Sequence, residues 1–204
     1  MSHMGVPMGA ARSPLILVKP RRFGDDRGWL SETYSERSFA KVGVEARFVQ
    51  DNHSFSGPVG TLRGLHYQSP PHCQGKLVRC VRGRIYDVAV DLRRGSRSYA
   101  EWLAVELTTA GGEQLYIPEG FAHGFVTLEP DTEVVYKVTD FYAPECDAGL
   151  RWDDPALGIP WPLPADGPHL SPKDAALPWL ADFTSPFTFA PGDAPLGNVV
   201  EVTP

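Results

Sequence analysis

The run Leu62-Arg63-Gly64-Leu65-His66-Tyr67-Gln68 sets an imidazole beside an arginine, and Lys76 follows at the head of a strand-like stretch. A neutral histidine with an ordinary pKa of ~6.5 is a suitable general base. A lysine held at the end of a buried strand is a fixed cation able to stabilise an enolate oxygen. Together they suggest proton abstraction next to a carbonyl. The competing reading is a turn in which His66 and Arg63 merely hydrogen-bond. Strict alternation puts Arg63 and His66 on opposite strand faces, unless Gly64 marks a bulge.

Three further residues have a chemical reading beside a structural one. Tyr136 shares a strand face with Val134 and Val138, so its hydroxyl points inward if that face lines a barrel; otherwise it fills the core with its hydroxyl satisfied. Asp174 stands at the N3 position of a helix begun by Ser171 and Pro172, where an acid closes a capping box. His123 reads equally as a substrate-facing group and as a core histidine with both nitrogens satisfied.

These residues need a β scaffold. From Val59 to Thr139 the pattern has period two: Tyr86, Val88, Val90 and Leu92 fall on one face and Asp87 and Asp91 on the other. Leu103, Val105 and Leu107 repeat the scheme. Turns at Arg82-Gly83-Arg84, Arg94-Gly95-Ser96, Ala110-Gly111-Gly112 and Pro118-Glu119-Gly120 cut it at intervals of about 8 to 14 residues, the rhythm of sandwiches and jelly rolls. Only 35–42 and the segment from Ser171 suggest helix.

A cupin barrel carries the motif Gly-x5-His-x-His-x3-Glu-x6-Gly. Aligned from Gly64 to Gly83, its metal-ligand positions read Pro70, His72 and Lys76, while Pro118-Glu-Gly-Phe-Ala-His123 matches the second motif, Pro-x-Gly-x2-His. A protonated lysine in the carboxylate position repels a divalent ion. The expectation is a mainly β, cupin-type jelly roll (double-stranded β-helix) with a few short helices and no metal.

The 204 residues suffice for one domain with a proper core, and 20 prolines with 20 glycines punctuate short strands rather than a helical bundle. A net charge of -6 without a basic block argues against nucleic acid as the main partner. No stretch approaches the roughly 20 apolar residues that span a bilayer. Three cysteines without a Cys-x-x-Cys pair fit free thiols in a reducing, cytoplasmic compartment. Residues 1–12 read as a tag remnant and flexible start, 13–182 as the barrel domain, and 183–204 as a tail packed over the domain, with order or disorder both open for its last ten or so residues.

Seven stretches, in order, resemble one known family: Asp26-Arg27-Gly28-Trp29 with Glu32, Gln50-Asp-Asn52, Leu62-Arg-Gly-Leu-His66, Lys76-Leu-Val, Pro118-Glu-Gly-Phe-Ala-His-Gly124, Val135-Tyr-Lys137 with Tyr142-Ala-Pro144, and Asp174-Ala-Ala. From about Phe23 to Leu180 the chain is similar to the dTDP-4-dehydrorhamnose 3,5-epimerases of nucleotide-sugar biosynthesis.

The resemblance implies that His66 removes the proton alpha to a C4 ketone, that Asp174 orients and polarises it, that Tyr136 is the acid on the opposite sugar face and that Lys76 stabilises the enolate. It assigns Arg27, Glu32, Gln50, Asn52, Arg63 and His123 to the pyrophosphate, thymidine or sugar, and Tyr142 to stacking on thymine. Arg27 and Glu32 then reach into a neighbouring subunit, which implies a homodimer. Asp147 stands where many members have glutamate, a methylene longer, which puts its ligand contact in question. The implied reaction, without cofactor, is epimerisation of dTDP-4-dehydro-6-deoxy-D-glucose at C3 and C5. Epimerisation at one carbon only, a sugar-nucleotide ketoisomerase, a sugar-binding cupin and a metal-dependent oxygenase are the alternatives.

Overall fold

Alternation gives each strand two faces, and the central strands of this chain have both of them covered. The computed structural model describes residues 14–197 and 199–204, so the expected tag remnant lies outside the described residues. A six-stranded sheet holds, in spatial order, β13 (Val200–Val202), β1 (Ile16–Val18), β9 (Gln114–Ile117), β6 (Lys76–Arg82), β11 (Thr132–Val138) and β4 (Gln50–Ser56). A five-stranded sheet holds β12 (Asp147–Gly149), β5 (Leu62–Gln68), β10 (Phe121–Thr127), β7 (Arg84–Asp91) and β8 (Trp102–Thr108). A separate hairpin joins β2 (Arg22–Asp25) to β3 (Gly28–Ser31). The expected jelly roll with few helices is what forms.

The sheets meet face to face over Val78, Ile85, Ala89, Leu107, Leu115, Phe125 and Val134. Each large apolar side chain buried there contributes about 1.5–3 kcal/mol by leaving water. Val88, Val90 and Leu92 belong instead to a second cluster on the outer face of the five-stranded sheet, under Leu150, Leu157 and Phe187 of the later chain. The apolar face legible in β7 is thus the covered outer one, and Asp87 and Asp91 turn toward the interior. Strand β4 escapes period-two reading because both its faces are largely polar: Gln50, Asn52 and Ser54 alternate with Asp51, His53 and Phe55.

The two expected helices are present and short. In α1 (Glu36–Ala40) the Ser35 hydroxyl accepts from the Ser38 amide at 3.5 Å; in α2 (Pro172–Ala175) Ser171 accepts from the Asp174 amide at 3.1 Å.

The tail packs over the barrel, as its sequence suggests, and adds a strand to it. Its end forms β13, which pairs in parallel with β1, Ile16 facing Val200 and Val18 facing Val202. Three residues are too few to show a period, so the strand is invisible in sequence. Before it, the Arg93 guanidinium lies 4.6 Å from the Phe121 ring centroid and 5.2 Å from that of Phe189, and donates to the Ala194 carbonyl at 3.0 Å. Asp91, fully buried, accepts from Arg93, Ser96 and Ser98 at 2.8 to 2.9 Å. The tail is therefore anchored on a satisfied buried charge pair.

Candidate active site

Glycine decides the geometry at the first motif. Gly64 has φ +136, and a Cβ there would lie 2.5 Å from the Gly124 Cα, so only glycine allows β5 and β10 to approach so closely. The β10–β5 register shifts at this point: His123 faces His66, but Phe125 faces Arg63. The bulge turns Arg63 to the side of His66, and both line one cavity. The conditional reading of Gly64 as a bulge is the one realised.

That cavity has two adjoining lobes of about 180 and 230 Å³, the few-hundred-Å³ class in which small molecules bind. His66, Lys76, Tyr136 and Lys173 border both lobes. Gln50, Asn52, Tyr142 and Asp147 line one, and Arg63, His123 and Asp174 the other. The five-stranded sheet supplies His66 and His123, whereas Lys76 and Tyr136 come from the six-stranded sheet opposite.

His66 Nε2 stands 2.5 Å from Asp174 Oδ1. A carboxylate there accepts the Nε2 proton and leaves Nδ1 with the lone pair, the form a general base requires. Burial raises the Asp174 pKa, but the His66 bond and charge, the Ser171 hydroxyl and the Gly64 amide outweigh it and hold the carboxyl below its ordinary value. Asp174 is thus more than a helix cap: its amide serves the cap while its carboxylate serves the histidine.

Lys76 is 9% exposed, and its ammonium donates to the His66 carbonyl at 3.4 Å. Burial pulls its pKa down to about 8, against the pull of Asp147 and Asp87. Burial also raises the Tyr136 pKa, with the Arg63 charge opposing, so its phenol stays protonated. His123, fully inside the site, has its pKa lowered, again chiefly by burial. Its Nε2 lies 2.7 Å from Asp87 Oδ1, and among the described residues its other nitrogen has no hydrogen bond. The reading of a core histidine with both nitrogens satisfied does not hold.

The binding candidates are tied into the walls. Gln50 donates to Asn52 at 2.9 Å and accepts from the Tyr142 amide at 3.1 Å. Arg63 donates to the Phe55 carbonyl at 3.1 Å and to the Ser56 hydroxyl at 3.3 Å. Asp147 accepts from the Tyr142 hydroxyl at 2.9 Å and pairs with Lys173. Arg27 and Glu32 stand apart from this cavity: Arg27 forks onto Asp25 at the hairpin tip, and Glu32 accepts from Ser38 at 2.9 Å. The hairpin also exposes Phe23, Trp29 and Leu30, the last to 74%.

Two residues were missed in the sequence. Asp87 shows there only as a polar alternate of Val88, a signal that marked its face but not its partner. Lys173 gave none beyond its place before Asp174. At the cupin metal positions Pro70 offers no side-chain donor, Lys76 offers a cation and His72 binds Asp140 at 2.9 Å. This set does not fit a divalent ion.

Residues 13–182 match the family described as dTDP-4-dehydrorhamnose 3,5-epimerase. The chain is 50% identical over 173 residues to the dTDP-4-dehydrorhamnose 3,5-epimerase of Sinorhizobium fredii, covering 85% of this chain and 88% of that one. The crystal structure of the Bacillus anthracis enzyme with TDP and PPi bound is similar at a TM-score of 0.80 and 47% identity, covering 82% of this chain and 94% of that one. The Legionella pneumophila dTDP-6-deoxy-D-glucose-3,5-epimerase in complex with dTDP-4-keto-L-rhamnose gives 0.79 and 42%, covering 85% and 93%.

Proposed function

The chain belongs to the dTDP-4-dehydrorhamnose 3,5-epimerase family, and from that premise we propose how its residues divide the work. It is an isomerase that epimerises dTDP-4-dehydro-6-deoxy-D-glucose at C3 and C5 to dTDP-4-dehydro-L-rhamnose. The observation that carries the division of labour is that His66, tied to Asp174 of α2, and the Tyr136 phenol stand on opposed sheets around one cavity.

Epimerisation needs a proton to leave one face of a carbon and another to arrive on the opposite face. His66 Nδ1 takes the proton alpha to the C4 ketone, and the electron pair moves onto the ketone oxygen as an enolate. The Lys76 ammonium stabilises that oxygen. Tyr136 then gives its phenolic proton to the carbon from the other side. Exchange with solvent resets the imidazolium and the phenolate. Because the one ketone acidifies both C3 and C5, the same pair serves both carbons in turn.

Arg63 suits a diphosphate oxygen through its planar, charge-assisted fork, and the half-exposed Tyr142 ring suits a stacked base. Gln50, Asn52, His123 and Asp147 face the rest of the ligand. Asp147, a methylene short of glutamate, presents its carboxylate already held by Tyr142 and Lys173.

Incubated with substrate in deuterium oxide, the protein is expected to introduce deuterium at both C3 and C5 by proton NMR, and a coupled reductase then consumes the product. Exchange at one carbon alone overturns the double-epimerase assignment.

Arg27 and Glu32 are assigned to a second copy's cavity, which makes the working unit a homodimer. Supporting this, the hairpin carries both an exposed arginine, paired only with Asp25 of the same hairpin among the described residues, and three exposed apolar side chains away from its own site. Light scattering is expected to give the mass of two chains; one chain's mass counts against it. Free Cys73, Cys80 and Cys146 suit a reducing compartment, and among the described residues no helix is long and apolar enough to cross a membrane. Both support work in the cytoplasm, which cell fractionation tests.

A further inference from the structure

Cross-strand pairing sets His66 and His123 directly opposite each other on β5 and β10, so the cavity carries two imidazoles side by side. Each has its own carboxylate, Asp174 for one and Asp87 for the other. The second carboxylate differs in two ways. Asp87 is fully buried on β7 and does not line the cavity, and among the described residues its Oδ2 has no hydrogen-bond partner. A buried anion with half its acceptors unused is costly unless a charge or a function compensates it.

We propose that Asp87 is a positioning residue of the epimerase site: it fixes His123 as the tautomer protonated on Nε2 and serves as a buried counter-charge to Lys76. The inference rests on the epimerase reading above and adds a residue to it. With Nε2–H donated to Asp87, the nitrogen His123 has left for a ligand is Nδ1, an acceptor. An acceptor takes a hydroxyl of the sugar and rejects a phosphate oxygen, so among the ligand groups open to His123 the sugar is selected.

Groups from several elements set the charge of Lys76. Asp147 from β12 contributes most to keeping the ammonium charged, Asp87 from β7 follows, and Lys173 from α2 opposes both. His66 on β5, His123 on β10, Tyr136 on β11 and Arg63 on β5 complete the surroundings. Asp147 is already engaged by Lys173 and Tyr142, whereas among the described residues no lysine or arginine pairs directly with Asp87. Burial alone drags Lys76 downward, and the lysine needs its proton when an enolate forms.

The sign follows from the ammonium being the charged, working form. It is lost as pH rises through the lysine pKa, so kcat/KM of the intact enzyme is expected to fall on the alkaline side near pH 8. Asp87→Asn removes a charge that favours the ammonium, so the alkaline limb moves to lower pH by about half a unit or more. At pH 7.5 kcat falls about 10-fold to 100-fold, the scale seen when a group orienting a functional histidine is removed, while KM changes less than about threefold.

Two measurements need no turnover and no variant. Nitrogen-15 spectra of the intact protein should show His123 neutral with its proton on Nε2, and carbon-13 spectra at the lysine Cε should place the Lys76 titration near 8. In Asp87→Asn, with an unchanged circular dichroism spectrum, the Lys76 titration moves down with the alkaline limb. An Nδ1–H tautomer in the intact protein, or a folded Asp87→Asn that lowers kcat equally at every pH with Lys76 unmoved, overturns the proposal. Wild-type protein inactive on the nucleotide sugar would instead count against the epimerase reading and leave both spectral expectations standing.

Discussion

His66→Ala lowers kcat by about three to four orders of magnitude, the upper range for a lost general base, and leaves a folded protein that still binds the nucleotide. The alanine removes the imidazole joined to Asp174 and leaves that carboxylate, 4% exposed, with the Ser171 hydroxyl and the Gly64 amide. Losing a partner of a buried carboxylate costs about 1–3 kcal/mol of stability, so a modest fall in melting temperature accompanies the loss of rate. Asp174→Asn separates the roles: it keeps the shape but replaces an anion that only accepts by a neutral amide that can also donate to the imidazole, so kcat falls about 100-fold or more. The coupled reductase assay and a thermal melt check both. A His66→Ala enzyme within tenfold of wild type removes the base from His66.

Tyr136→Phe divides the reaction rather than abolishing it. Phenylalanine keeps the ring against the core that Tyr136 packs on and deletes only the hydroxyl, so stability changes little. His66 still takes the alpha proton and returns it, or a solvent deuteron, to the same face. Net epimerisation is expected to fall about 10²-fold to 10³-fold, while deuterium incorporation with retained configuration survives at a clearly measurable rate. Proton NMR of substrate recovered from deuterium oxide reads both quantities in one tube. Equal loss of exchange and epimerisation removes the two-walled proton path, since it makes Tyr136 necessary for deprotonation as well.

Both predictions depend on residues legible before any fold was known, and the reason is local. His66, Lys76 and Tyr136 lie within motifs, and their strands alternate well enough to assign faces. What could not be read were relations between distant segments. That Arg63 joins His66 follows from Gly64 meeting Gly124 across two strands. That Asp174 does more than cap its helix follows from β12 and the loops behind it laying α2 along β5. The alternation of β7 separates Asp87 from Val88 but does not say which face is inner, because nothing in β7 reveals that residues after Leu150 cover its apolar side. Strand β4 hid itself by lining the site with amides and hydroxyls, and β13 by its three-residue length.

The His66–Asp174 pair joins positions 108 apart in the chain. During synthesis at about 5–20 residues per second, the carboxylate follows its histidine by roughly 5 to 20 s. Both cavity walls, through Tyr136 on β11, precede it from the ribosome. Until α2 is in place, His66 lacks the carboxylate that fixes its tautomer. The base is thus tethered late, by one short helix, with only the tail that covers the outer sheet face and ends in β13 still to follow.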